Sequence, residues 1–263
     1  MRPDIVRRYS HNPILTKADI PYPVETVHNA AVVKHKDENI MLFRSHLRTG
    51  RSIIGLARSP DGFHFTAAPE PFLTPARDGP FAAYEEFGVE DPRVTGLEGE
   101  YVITYSAYSR NGVRIALAKT TNFRQVERIS LITEADYRNV VIFPEKFDGL
   151  YARLDRPHSE IAPWSIWISY SPDLRFWGES QLIMRPEPYH WDEMKIGPGA
   201  PPIKTNQGGY PSITEFSGPW MGRSIVWGLP CMTCSNRQRS SVWATRGFCS
   251  RKMLRKSPDT STT

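Results

Sequence analysis

The feature that most constrains this fold is a segment that recurs three times at intervals of about 50 to 60 residues. It reads IIGLARSPDGFHF from Ile53, RIALAKTTNFRQV from Arg114 and SIWISYSPDLRFWG from Ser165. Each copy opens with alternating apolar residues, runs into Ser/Thr-x-Asp/Asn turn chemistry and carries an aromatic able to pack on the next strand. Other strand-like runs lie between them: AAVVKH from Ala30, NIMLFRSH from Asn39, YVITYSAYS from Tyr101 and LYARLDRP from Leu150. Four strands per repeat predicts the blade of an all-β propeller, with a β-sandwich of accidentally similar strands as the alternative. An aromatic content of 11% with 23 Pro and 18 Gly suits many short strands and turns. Residues 1–207 supply three to four such blades, so the ring reads as incomplete.

The formal charge of +5 would invite a nucleic-acid or membrane partner if it were spread over the chain. It is not. From Gly208 onward eight Lys and Arg face two acids, a net of +6, which leaves about −1 for everything before it. The three cysteines, Cys231, Cys234 and Cys249, lie in the same tail. A chain otherwise without thiols has no disulfide framework, and a reducing, cytoplasmic setting is expected. No apolar run has the length of a membrane span, and MRPDIVRRYSHNPIL lacks the apolar core of a signal peptide. A zinc site at Cys231-x-x-Cys234 with Cys249 lacks a well-spaced fourth ligand.

Three segments carry chemistry. FGVEDPRVT, from Phe87 to Thr95, places two acids and an arginine around Pro92, which belongs at a strand end or loop. On an extended chain Glu90 and Asp91 point to opposite sides, so one acid at most is expected to face a substrate; an Asp-Pro turn with a surface salt bridge is the alternative. YRNVVIFPEKFDGLYARLDRP, from Tyr137, carries Arg138, Lys146, Arg153 and Arg156. Guanidinium forks suit a dianion, while a solvated cationic face would read the same way. WDEMKIGPGAPPIKT adds Lys195 in a Gly/Pro-rich stretch where backbone can approach a ligand closely, and Trp191 as a candidate sugar platform or packed aromatic.

Together with NPIL, HNAAVV and LFR, these motifs run in order from Asn12 to Thr205, and over that span the chain resembles glycoside hydrolase family 130, the β-mannoside phosphorylases and related hydrolases. The resemblance implies a five-bladed β-propeller with an axial sugar site. It implies Asp91 as the single proton donor, acting through a hydroxyl of the mannose, and Asn29 and Arg44 as residues that hold the mannose. It implies Arg138, Arg156 and Lys195 as the cluster that binds inorganic phosphate, a co-substrate, with no metal or organic cofactor. Phosphate would attack from the opposite face and release α-mannose 1-phosphate with inversion. The RNVV and RLDRP wording resembles most the branch acting on β-1,4-mannooligosaccharides or mannosyl-N-acetylglucosamine. The expected partners are thus a β-mannoside oligosaccharide and phosphate, with no nucleic acid and no membrane, and a homo-oligomer stays open. An inverting β-mannosidase of the same family and a non-catalytic sugar-binding propeller fragment are the rival readings.

After Gln207 the resemblance stops, where a Gly-Trp strand and a Tyr-His-Gly segment would follow. Tyr210 to Glu215 can be encoded TAT CCA TCT ATC ACG GAG, and dropping two bases gives Ser-Ile-Tyr-His-Gly. The same shift turns permitted codons for Gly247 to Met253 into Ile-Leu-Gln-Pro-Glu-Asp, and Trp220-Met221 into an obligatory Asp. Residues 208–263 are therefore expected to be a frameshifted, non-native and disordered tail. A propeller short of a blade leaves strand edges unpaired, so such a product is expected to fold poorly and to be weakly active or inactive.

Overall fold

The computed structural model describes residues 9–189 and 193–204, together with the backbone of Thr214–Ser217 and Arg223–Val226. The remainder of the tail, including the three cysteines, lies outside the described residues, as does Trp191. The architecture is all-β. Strands β1 (His28–His35), β2 (Glu38–His46), β3 (Ser52–Ser59) and β4 (Thr66–Ala67) pair antiparallel in chain order. So do β5 (Gly88–Leu97), β6 (Glu100–Ser109), β7 (Gly112–Thr120) and β8 (Glu127–Leu131). A third set follows as β9 (Tyr137–Phe147), β10 (Leu150–Pro157), β11 (Ile166–Ser171) and β12 (Gly178–Met184). The backbone of β13 (Lys195–Pro198), β14 (Thr214–Ser217) and β15 (Arg223–Val226) begins another antiparallel sheet.

The sheets are stacked, because their strands are apolar on both faces. Side chains alternate across a strand, and in β9 Val140 and Ile142 enter one core with Leu97, Ile115 and Leu117 of the preceding sheet. Their neighbours Val141 and Phe143 enter another with Leu154, Ile168 and Ile196. In the same way Ala116 and Ala118 of β7 face the first sheet, while Ile115 and Leu117 face the third. Buried Thr95 and Thr104 reinforce this stacking by donating across to the β9 carbonyls of Ile142 and Val140, at 3.0 and 2.6 Å.

The three sequence repeats are the third strand of each sheet and the turn after it. Ser59, Thr120 and Ser171 each accept two backbone N–H groups through the side-chain hydroxyl. Two residues on, one oxygen of Asp61, Asn122 and Asp173 accepts two more. The residue after that is left-handed in all three: Gly62 at φ 82°, Phe123 at 54° and Leu174 at 67°. Non-glycine residues rarely adopt this conformation, and the turn bonds hold it here. Phe123 and Leu174 are buried, each in the core shared with the preceding sheet.

Candidate functional site

A second repeated device builds the site. Near the start of β1, β5 and β9 one residue is left-handed: Asn29 at φ 50°, Asp91 at 50° and Asn139 at 57°. Each coincides with a register shift against the neighbouring strand, a bulge that turns the side chain out of the ladder. The first two bulges converge, so that the Asn29 side-chain amide donates to Asp91 Oδ1 at 2.7 Å across 62 residues of sequence.

This bulge overturns the extended-chain expectation that Glu90 and Asp91 face apart. Both carboxylates reach the guanidinium of Arg44, on β2. Arg44 Nη1 donates to Asp91 Oδ1 at 3.1 Å and Nη2 to Glu90 Oε1 at 2.6 Å. Its Nε donates to Ser52 Oγ at 3.2 Å, and Nη2 also approaches His46 Nε2 at 3.0 Å. Four of the five guanidinium N–H groups are thereby matched to acceptors, which leaves one for a ligand. An arginine only donates, so His46 accepts through Nε2, and its Nδ1–H donates to Thr26 Oγ1 at 2.9 Å. Burial and the Arg44 charge hold His46 below the usual imidazole range, against the pull of Glu90 and Asp91, which fits this neutral tautomer. Its ring stacks on that of His28, with centroids 5.2 Å apart.

The two acids have different work. Glu90 is buried; its Oε1 accepts from Arg44 and from Ser52 Oγ at 3.0 Å, and its Oε2 meets Arg138 Nη1 at 3.4 Å. It is committed on both oxygens. Asp91 is partly exposed. Burial pushes its pKa up, but the Asn29 hydrogen bond and the charges of Arg44 and Arg93 outweigh that and hold it below the ordinary carboxylate value.

The expected cations separate in space. Arg138 and Arg156 are backbone partners across β9 and β10. Arg156 is buried and lies 5.4 Å from the centroid of the Trp164 ring. Lys195 stands 5.2 Å from the same ring. The backbone of Gly197 passes so close that a Cβ there would lie 2.8 Å from Arg156 Nη1 and 3.1 Å from Asn139 Nδ2. Lys146 and Arg153 stand elsewhere: Lys146 pairs with Glu98 at 2.7 Å at the β9–β10 hairpin end, and Arg153 with buried Asp155 at 2.9 Å. Asn29, Arg44, Asp91 and Arg138 thus form one connected polar group with Glu90, while Arg156, the ladder partner of Arg138, and Lys195 each lie near the Trp164 ring.

Sequence reasoning missed His46, Ser52 and Trp164. His46 follows Arg44 by two residues, and the period of a strand puts both on one face; that signal was available. Trp164 meets Arg156 and Lys195 only through tertiary contact, with no local signature. Among the described residues no group of three or more His, Cys, Asp or Glu could hold a metal ion, and no helix is long and apolar enough to cross a membrane.

Residues 2–213 match the family model described as β-1,4-mannooligosaccharide phosphorylase. The chain is 39% identical over 182 residues to the β-1,2-mannobiose phosphorylase of Listeria innocua, a match that covers 68% of this chain and 50% of that protein. It is 29% identical over 214 residues to the 1,2-β-oligomannan phosphorylase of Thermoanaerobacter sp. (77% and 69% covered). To the β-1,4-mannooligosaccharide phosphorylase of Ruminococcus albus it is 30% identical over 212 residues (78% and 62% covered). The chain therefore spans half to about two thirds of the length of these relatives. Among solved structures, the Listeria innocua β-1,2-mannobiose phosphorylase in complex with β-1,2-mannobiose aligns with a TM-score of 0.74 at 28% identity, covering 83% of this chain and 77% of the other.

Proposed function

The chain belongs to glycoside hydrolase family 130, the β-1,4-mannooligosaccharide phosphorylase family, and from that premise we propose that it derives from an enzyme that breaks β-mannosidic bonds with inorganic phosphate. The stacked four-stranded sheets are then blades of a five-bladed propeller, with the bulged strand ends around its axis. The observation that carries the reading is the pairing of one available carboxylate with a cationic neighbourhood. Asp91 stands with Asn29 and Arg44, Arg138 meets Glu90 and is the ladder partner of Arg156, and Arg156 and Lys195 lie near one ring, Trp164.

In this reading Asn29 and the remaining Arg44 N–H hold the mannose, and Arg138, Arg156 and Lys195 hold phosphate on the far side of the anomeric carbon. A phosphate oxygen bonds to that carbon as the glycosidic C–O bond breaks. Asp91 passes a proton through a mannose hydroxyl to the leaving oxygen, and the proton of the incoming hydrogen phosphate restores it. The products are α-mannose 1-phosphate, with inversion, and the shortened sugar.

Asp91 rests ionised in the free protein, since it is held below the ordinary carboxylate value. A sugar that excludes water and draws Asn29 and Arg44 toward itself raises that pKa toward a working acid. Hydrolysis by an inverting carboxylate pair would need a second free carboxylate to activate water, and Glu90 is fully engaged by Arg44, Ser52 and Arg138. The 39% identity to one β-1,2 enzyme favours a β-1,2 linkage over the β-1,4 or mannosyl-N-acetylglucosamine linkage expected from sequence wording, while a second β-1,2 enzyme at 29% and the β-1,4 enzyme at 30% do not separate the two.

The test is incubation of the protein with β-1,2- and β-1,4-mannobiose with and without phosphate. Phosphate-dependent mannose 1-phosphate is the expected result for the frame-corrected protein, with weak or no turnover by the chain as it stands. Phosphate-independent mannose would indicate the hydrolase, and sugar binding by calorimetry without turnover would indicate a binding fragment. Asp91→Asn is expected to reduce turnover by about 10²- to 10⁴-fold with sugar binding largely intact; an unchanged rate removes Asp91 from the role.

A further inference from the structure

His46 is held at both ends of its ring. Its backbone lies in the β2–β3 ladder opposite Ser52, with the N–H donating to Thr26 Oγ1 at 3.0 Å and the carbonyl accepting from Glu25 N at 2.8 Å. Its Nδ1–H donates to the same Thr26 oxygen at 2.9 Å, and its Nε2 accepts from Arg44 Nη2 at 3.0 Å. One ring face is stacked on His28, with the two planes 25° apart. A flip of the imidazole would put carbon where each partner now meets nitrogen. The ring is therefore a rigid link from the segment before β1 to the Arg44 guanidinium.

Arg44 Nη2 commits its two N–H groups to His46 Nε2 and Glu90 Oε1, and Nε donates to Ser52 Oγ. Three bonds from one planar group fix its plane. They thereby fix the direction of Nη1, which meets Asp91 Oδ1 at 3.1 Å and carries the remaining N–H. The bond from His46 exists only while its imidazole is neutral. A protonated ring carries N–H at both nitrogens, which would set donor against donor at 3.0 Å and add positive charge beside the guanidinium. The charged and titratable groups that face the ring are Arg44 on its own strand, Glu90 and Asp91 on β5, and His28 on β1. Burial and then Arg44 oppose protonation, the two carboxylates favour it, and the first pair prevails.

We infer that His46 is a positioning residue for the mannose site, its neutral imidazole aiming Arg44, so that mannoside binding weakens when this ring takes up a proton. This rests on the reading of Asn29 and Arg44 as the residues that hold the mannose. A ligand that binds only the neutral form loses affinity by up to about ten-fold for each pH unit below the pKa of the ring. His46 is held below the usual imidazole value of about 6.5, so affinity is level above that pH and falls on its acid side. Asp91 is held below the ordinary carboxylate value, so its own protonation belongs to a lower pH.

The experiment uses the full chain with β-1,2-mannobiose as the probe and no phosphate, because phosphate changes charge in the same range. Affinity is measured by calorimetry from about pH 8 to about pH 5, around the histidine value, and folding by thermal melts at each pH. The unsubstituted chain is expected to show the acid fall. His46→Gln offers an amide oxygen to Arg44 and cannot titrate; it is expected to bind within about three-fold of the unsubstituted chain at neutral pH and to lose the fall. His46→Leu offers no acceptor and is expected to bind about ten-fold more weakly at neutral pH, again without the fall. Long-range nitrogen NMR of the histidine rings, with His46 assigned by the signal missing in His46→Gln, is expected to show the Nδ1–H tautomer. If His46→Leu does not fold, the unsubstituted chain and His46→Gln decide. An acid fall that survives in His46→Gln belongs to His28 or a carboxylate and overturns the inference, as does a level profile in the unsubstituted chain or an Nε2–H tautomer. A folded chain that binds no mannobiose at any pH would remove the mannose-site reading itself, and this inference with it.

Discussion

Arg44 is where the site and the stability of the protein meet, and Arg44→Met isolates that role without any ligand. The substitution keeps length and burial but removes a guanidinium that bonds Asp91 at 3.1 Å, Glu90 at 2.6 Å, Ser52 at 3.2 Å and His46 at 3.0 Å. Two carboxylates with side chains only 16% and 5% exposed would lose their shared cation. Removing one member of a buried ion pair costs about 3–5 kcal/mol, because the charge left behind stays desolvated. For a domain of this size that corresponds to a fall in Tm on the order of 10 °C. The cost depends on pH with a definite sign. Asp91 has a depressed pKa in the folded state, so in the native protein its contribution is present above the unfolded carboxylate value and is lost as pH falls through the folded one. In the variant the depression of Asp91 weakens, and acid neutralises that carboxylate. The difference between the two proteins is therefore expected to be largest near pH 7 and to shrink as pH falls below about 4, the ordinary carboxylate value. Urea melts at about pH 7 and about pH 3, on either side of the ordinary carboxylate value, measure it. A loss under about 1 kcal/mol, the median of exposed pairs, or a loss independent of pH, would refute this account of Arg44.

Gly88→Ala is expected to destabilise by about 1–3 kcal/mol: Gly88 sits at φ 147°, and a Cβ there would lie 2.6 Å from Ser52 N at the bridge that joins the first two sheets. Denaturant melts check this, and an unchanged midpoint contradicts it. Asn122→Ala and Asp173→Ala each remove one oxygen that accepts two backbone N–H groups, so similar losses of about 1–3 kcal/mol are expected; clearly unequal losses would count against the equivalence of the two turns. Sequencing of the encoding DNA across the codons for Lys204 to Tyr210 is expected to restore one or two bases and with them a Tyr-His-Gly segment. A reading confirmed as it stands would make the basic tail genuine.

Much of the fold was legible because its signals are local. Ser59, Thr120 and Ser171 with Asp61, Asn122 and Asp173 make their bonds within a few residues, so the turn chemistry written in the chain is the chemistry that forms. The burial of strands on both faces was not read from the chain, although runs such as VVIF carry it, with Val140 and Val141 entering different cores. The site was legible as a set of residues but not as a geometry. The opposed directions expected of Glu90 and Asp91 assumed an extended strand, and a left-handed Asp91 beside Pro92 defeats that assumption. A bulge is set by the partner strand as much as by its own sequence. Lys146 and Arg153 shared a cationic stretch with Arg138 and Arg156, yet their acidic partners Glu98 and Asp155 take them away from it. The Lys146–Glu98 pair crosses from β9 to the β5–β6 turn and leaves no trace in spacing, whereas Asp155 follows Arg153 by two residues on one face of β10, a signal that was available.

The backward reach of Phe123 and Leu174 has a consequence for how this chain is made. The first sheet is complete once Ala67 has been synthesised and the second once Leu131 has, but the side chains that finish sealing them, Phe123 and Leu174, come later. At translation rates of about 5–20 residues per second, each newly made sheet waits roughly 2 to 12 s with part of its core open. The order of assembly is thus written as a delay, each sheet being closed by its successor. Slow codons before either turn would lengthen the interval in which a ribosome-bound chain is open to chaperones and to misassociation.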